Sequence, residues 1–203
     1  MEPERAALAR RGTRLEYVTI AWNSLEGLIA VVAGAMAGSI ALTGFGIDSF
    51  IEVTSAGALL WRISVDHDAG QREHRERLTL RIVGACFIAL ALYVAATAVS
   101  DLVTRSIPHA SIAGIALACA ALVVMPLLSR AKRKLGRALN SAAMRADARQ
   151  ADFCAYLSVI LLAGLLLNAG WGWWWADPAA ALVMVPIMAR EGVQALRGDP
   201  CCD

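Results

Sequence analysis

The chain is poor in charge and in histidine. Asp, Glu, Lys and Arg make up 18% of its 203 residues, and there are three histidines; a soluble domain carries roughly 25% charge. Its five cysteines (Cys86, Cys119, Cys154, Cys201 and Cys202) contain no C-x-x-C pair, which argues against zinc-finger spacing and a disulfide framework. The formal net charge is only +2. What fills the space is apolar: 58% of residues, against about 45–50% in soluble domains, with a mean hydropathy of +0.56. This is the composition of an integral membrane protein.

Six apolar runs are expected as spans of an all-α, integral membrane six-helix bundle. Residues 1–14 form a basic N-terminal arm carrying Arg5, Arg10, Arg11 and Arg14. The first run, Leu15 to Met36, is too long for the apolar segment of a signal peptide and contains Glu26, so it reads as an uncleaved span. A second follows after Ala37-Gly38-Ser39 and ends at Trp61-Arg62, and a polar loop from Ile63 to Arg77 holds Asp66, His67, Asp68 and His74. The third and fourth spans run from about Leu78 to Val103 and from about Ala110 to Ser129. The fifth becomes fully apolar from Phe153 to Leu167 and is followed by Trp171, Trp173, Trp174 and Trp175, residues suited to a membrane–water boundary. The sixth opens at Pro178. The transporter domain is thus expected over 15–196, with a short tail at 197–203.

Six spans place both termini on one side. Eighteen of the nineteen Lys and Arg residues then fall on that side, and only Arg105 on the other. The positive-inside rule predicts cytoplasmic termini and a multi-pass protein of the plasma (inner) membrane.

The second span carries two acids where the bilayer is driest. Asp48 and Glu52 sit four residues apart in an otherwise apolar run, and hence on one helical face. An Asp at a helix centre costs about 2.5–3.5 kcal/mol on insertion scales. A bound cation or a proton offsets that most simply; two acids on one face make a mere helix-packing pair the weaker reading. The fifth span repeats the spacing with Gln150 and Cys154, while Asp147 lies on the same stripe one turn earlier and Asp152 points away. Asp48 lies about ten residues, roughly 15 Å, from the outer end of its helix, and Cys154 about as far from the inner end of its own. The two pairs can meet near the midplane. Glu26, with Asn23 three residues before it, shares a face of the first span and is a candidate accessory or proton-coupling acid, or a bond to a neighbouring helix; Asp147 and Asp152 are candidates for the same accessory or proton-coupling role.

These residues carry a resemblance. The run Ser39 to Glu52, with Asp48-Ser49 and an acid four residues on, and Arg145-Ala146-Asp147 leading to Gln150 and Cys154, resemble the second- and fifth-span motifs of the cation diffusion facilitator family of divalent-metal efflux transporters. The likeness runs from about Tyr17 to Leu196. It implies six spans, cytoplasmic termini, metal ligands at Asp48, Glu52, Gln150 and Cys154, a homodimer, and a short form built of the transmembrane domain alone. The family has His or Asp, then Asp, where this chain has Gln150 and Cys154, and its His-rich loop is reduced here to His67 and His74.

The expected activity is efflux of a divalent metal ion as substrate, in exchange for protons, by alternating access. Two carboxylates, a thiolate and an amide oxygen suit zinc first, with cadmium, cobalt or iron also compatible. Metal ions, protons and the lipid bilayer are the expected partners; no organic cofactor, no nucleic acid and no enzyme activity are expected. Metal binding by His67, His74, Cys201 or Cys202 is left open. Two rivals remain: a proton-coupled exporter of organic cations, using Glu26 and aromatic side chains, and a non-transporting membrane thiol or scaffold protein, for which the sequence offers only the tail cysteines.

Overall fold

A computed structural model describes residues 2–63, 69–107, 109, 111–139 and 141–197. Six helices account for nearly all of them: α1 (Glu2–Ala37), α2 (Ile40–Ile63), α3 (Ala69–Thr104), α4 (Ile112–Ala138), α5 (Ala142–Trp171) and α6 (Ala176–Arg197). The basic arm is not a separate element; α1 runs through it into the first span without a break. Likewise α3 extends well into the polar segment after the second span. His67, Cys201 and Cys202 lie outside the described residues, as does the side chain of His74.

The surface is the reverse of a soluble bundle. Along α1 the inward stripe is polar (Glu16, Thr19, Asn23, Glu26), whereas Tyr17, Val18, Leu25, Leu28, Val32 and Met36 face outward. Large apolar side chains are also exposed on α3, α4, α5 and α6. That pattern belongs to lipid as solvent, with polar groups paired inside. Five helices are long and apolar enough to cross a membrane. The exception is α2, whose 24 residues span roughly 36 Å but are diluted by Asp48, Glu52, glycines and hydroxyls. Its place explains this: α2 packs against α1, α3, α5 and α6, so most of its length meets protein and not lipid.

Local sequence sets the helix ends. Ser111 and Ser141 cap α4 and α5, each accepting a hydrogen bond from the backbone N–H three residues on, which satisfies a donor the helix cannot. α5 stops at Gly172, in the left-handed region at φ 65°. Gly38 turns the chain between α1 and α2 at φ 66°, while Gly34 lets α1 close on Thr43 of α2. Of the two glycines in that turn region, only Gly34 serves helix approach.

Three connections gather at one end. The His109 N–H donates to the Ala37 carbonyl at 2.7 Å, and the Ser39 hydroxyl donates to Asp177 at 2.5 Å. The other Asp177 oxygen accepts from the backbone N–H groups of Ile40 and Ala41, so a side chain of α6 caps α2. The 38–39, 105–111 and 172–175 connections therefore share one end, and α1 starts and α6 finishes at the other. We call these the connection end and the terminal end.

Candidate metal centre

α2 presents Asp48 and Glu52 one turn apart, and α5 presents Cys154 opposite them. Ligand atoms of these three side chains all lie within 4.8 Å of one another, and all three residues are buried. A tetrahedral ion bound at about 2.0–2.3 Å holds its ligands about 3.3–3.8 Å apart, so small side-chain rotations suffice to close the set. Asp48 Oδ1 and Glu52 Oε1 are buried without a hydrogen-bond partner. An unsatisfied buried polar atom costs about 1–3 kcal/mol, and here two of them belong to acids one turn apart.

α1 completes the wall. The Asn23 amide donates to Glu52 Oε2 at 2.6 Å, and Ser49 donates to Glu26 Oε2 at 3.1 Å. Glu26 is near enough to repel both Asp48 and Glu52. Three acids thus share one dry pocket, an arrangement that demands positive charge, as metal or as protons. In sequence Asn23 only shares a face with Glu26, and its bond to Glu52 across 29 residues has no local signal.

Gln150 is half-buried, and its Nε2 is a buried atom without a partner. An amide flip exchanges its nitrogen and oxygen, so Gln150 has the chemistry of a neutral oxygen donor one turn before Cys154. Asp147 and Asp152 do not join the cluster. Asp147 pairs with Lys132 and accepts from Ser55 at 3.2 Å, one turn nearer the terminal end. Asp152 pairs with Arg133 on the outer side of α5, as its angular position on the helix requires.

Sequence reading also passed over Glu16 and Lys132, both almost fully buried and paired at 3.1 Å. The signal for Lys132 was present: it continues the buried stripe Met125, Leu128, Ser129, Lys132, Gly136 of α4, whereas Arg130 and Lys134 on either side are exposed.

A family model of the cation efflux transmembrane domain matches residues 17–198. The chain is 29% identical over 156 residues to an uncharacterized transporter of Synechocystis sp., covering 74% of this chain and 50% of that protein. It is 24% identical over 187 residues to transmembrane protein 163 of Xenopus laevis, covering 90% and 65%. A further uncharacterized transporter, from Methanocaldococcus jannaschii, is 26% identical over 179 residues, covering 85% and 63%. The chain thus spans between half and about two thirds of the length of these relatives. The match takes in α1 from Tyr17 and all of α2 to α6, the facing ligand-type side chains of α2 and α5 included, and on it the chain belongs to the cation efflux family.

Proposed function

We propose that the chain carries a divalent metal ion across the membrane through a site made by Asp48, Glu52 and Cys154, with the Gln150 amide oxygen as fourth ligand. The convergence of three ligand atoms from two helices, buried in a membrane bundle, is the observation that carries this reading. Two carboxylates and a thiolate give a donor set of mixed softness that favours zinc, then cadmium and cobalt, over manganese or magnesium.

The coupling we infer is antiport with protons by alternating access. Each of the three ligand groups holds either a metal or a proton, so loading metal releases protons and protonation releases metal. Glu26, held by Ser49 next to Asp48, adds a third buried proton-holding group beside the cluster. The charge distribution supports cytoplasmic termini, because Arg105 is the lone cation between α3 and α4 at the connection end. Efflux from the cytoplasm across the plasma (inner) membrane, by a homodimer, fits this orientation.

The test is metal flux into proteoliposomes, read with an internal metal-sensitive dye, under an imposed proton gradient. Zinc flux that rises with a gradient driving protons the opposite way, and that Asp48→Asn removes, supports the reading. Wild-type flux in a folded Asp48→Asn protein overturns the site, and flux indifferent to the gradient overturns the coupling.

A further inference from the structure

One turn toward the terminal end from the metal cluster lies a second set of buried charges. The Lys132 ammonium, on α4, is held by Glu16 of α1 at 3.1 Å and by Asp147 of α5, and Asp147 also accepts from Ser55 of α2. The three charged residues are 1%, 0% and 7% exposed. Two carboxyl groups share one ammonium, so the second needs a proton or a further positive charge, and Glu16 Oε1 is buried with no partner. A buried ion pair is weak grounds for stability, since desolvation offsets most of its attraction. Stability alone does not account for this set.

Its placement suggests what does. Asp147 precedes Gln150 by three residues, Ser55 follows Glu52 by three, and Glu16 precedes Asn23 by seven. Each is displaced from the cluster in the same axial direction, by roughly 5 Å on α2 and α5 and roughly 10 Å on α1. Lys132 and Asp147 are both close enough for Glu52 to feel their charge. An ion travelling between the terminal end and the cluster along these four helices meets this group first.

We propose that Glu16 and Asp147, with the Ser55 hydroxyl, form a second divalent-cation site on that route, and that the Lys132 ammonium fills it as a tethered stand-in for the cargo. The proposal rests on the cation-transport reading above. An ammonium is a compact point charge on a flexible stem, able to leave by swinging its head to the surface, where Arg130 and Lys134 already are. A divalent ion in its place brings the two carboxylates to neutrality, which the single charge of Lys132 does not. The site thereby prefers divalent over monovalent cations, and it shuts behind each ion as the ammonium returns.

The test is zinc bound per chain in detergent, by equilibrium dialysis with zinc alone. At a free zinc concentration that just fills the inner cluster, the parent protein binds about one ion and Lys132→Met about two, because in the parent the ammonium competes for the outer carboxylates and only higher zinc displaces it. Adding Glu16→Gln to Lys132→Met returns the count to one. Adding Asp48→Asn instead also returns it to one, by emptying the inner cluster. A folded Lys132→Met, or the milder Lys132→Gln, that binds no more zinc than the parent overturns the second site while leaving the inner one standing. No zinc on the parent, with one ion on Lys132→Met/Asp48→Asn, overturns the inner site instead. On the unmodified protein, saturating zinc raises the labelling of Lys132 by an amine-acylating reagent, read by mass spectrometry. Labelling unchanged by zinc overturns the proposal even where neither variant folds.

Discussion

Asn23 donates its side-chain amide to Glu52 at 2.6 Å, so α1, which supplies none of the three clustered ligand atoms, still fixes one of them. The bond orients the Glu52 carboxylate and leaves its other oxygen, Oε1, free to face the cluster. Asn23→Ala is expected to weaken zinc binding by about 10- to 100-fold, the usual effect of removing a hydrogen bond to a metal ligand. Equilibrium dialysis checks it, and an unchanged affinity would show that Glu52 needs no support from α1.

Asp48→Asn and Glu52→Gln are each expected to abolish zinc flux while leaving insertion and yield intact. Each removes an anionic ligand from a dry site and at the same time lowers the energy of burying the helix. Flux in proteoliposomes and monodispersity on size-exclusion chromatography separate the two effects.

Cys154→Asp replaces a soft donor by a hard one at the same place. Zinc transport is expected to persist, and cadmium to lose more than zinc, because the thiolate favours the softer ion. Cys154→Ala should impair both, less severely than Asp48→Asn. The check is a competition series of zinc, cadmium, cobalt, iron and manganese in vesicles; an unchanged order of preference in Cys154→Asp makes Cys154 a packing residue.

Helix pairs closed by glycine give predictions independent of transport. A Cβ on Gly84 of α3 would lie 2.8 Å from the Gly192 carbonyl of α6, backbone that cannot move aside alone, whereas one on Gly57 meets nothing within 4 Å. Gly84→Val is expected to destabilise by about 1–3 kcal/mol through overpacking. Gly57→Ala is expected to be neutral or to stabilise by about 0.5–1 kcal/mol through helix propensity. Thermal unfolding in detergent reads both.

Asp177→Ala removes the acceptor for Ser39 and for two backbone N–H groups at the start of α2. A lost helix cap costs about 0.5–2 kcal/mol, and Tm is expected to fall accordingly. Asp177→Asn, which keeps an acceptor, should recover part of it.

The six helices were legible because lipid demands long apolar runs, and the acids of α2 because period 3.6 puts residues four apart on one face. The same arithmetic turned Asp152 outward, where it meets Arg133. Cys154 was legible only through its spacing from Gln150 and the motif around them. What hid was most of what depends on which helices become neighbours, the meeting of α2 and α5 at the cluster excepted. Lys132 finds Glu16 across 116 residues, and in sequence it looks like one more cation in the run Arg130 to Lys134. α2 shows the same limit from the other side: its acids, glycines and hydroxyls are met by neighbouring helices, a fact of packing and not of local pattern.

The tie between Ser39 and Asp177 has a mechanical consequence. Because Asp177 grips both the Ser39 hydroxyl and the first N–H groups of α2, the helix that bears Asp48 and Glu52 cannot slide along its axis without dragging the start of α6. α6 in turn lies close against α3 at Gly84 and Gly192, where neither backbone leaves space for a Cβ. A displacement of the helix that bears Asp48 and Glu52 is therefore felt at once by α1 and α6 and, through α6, by α3.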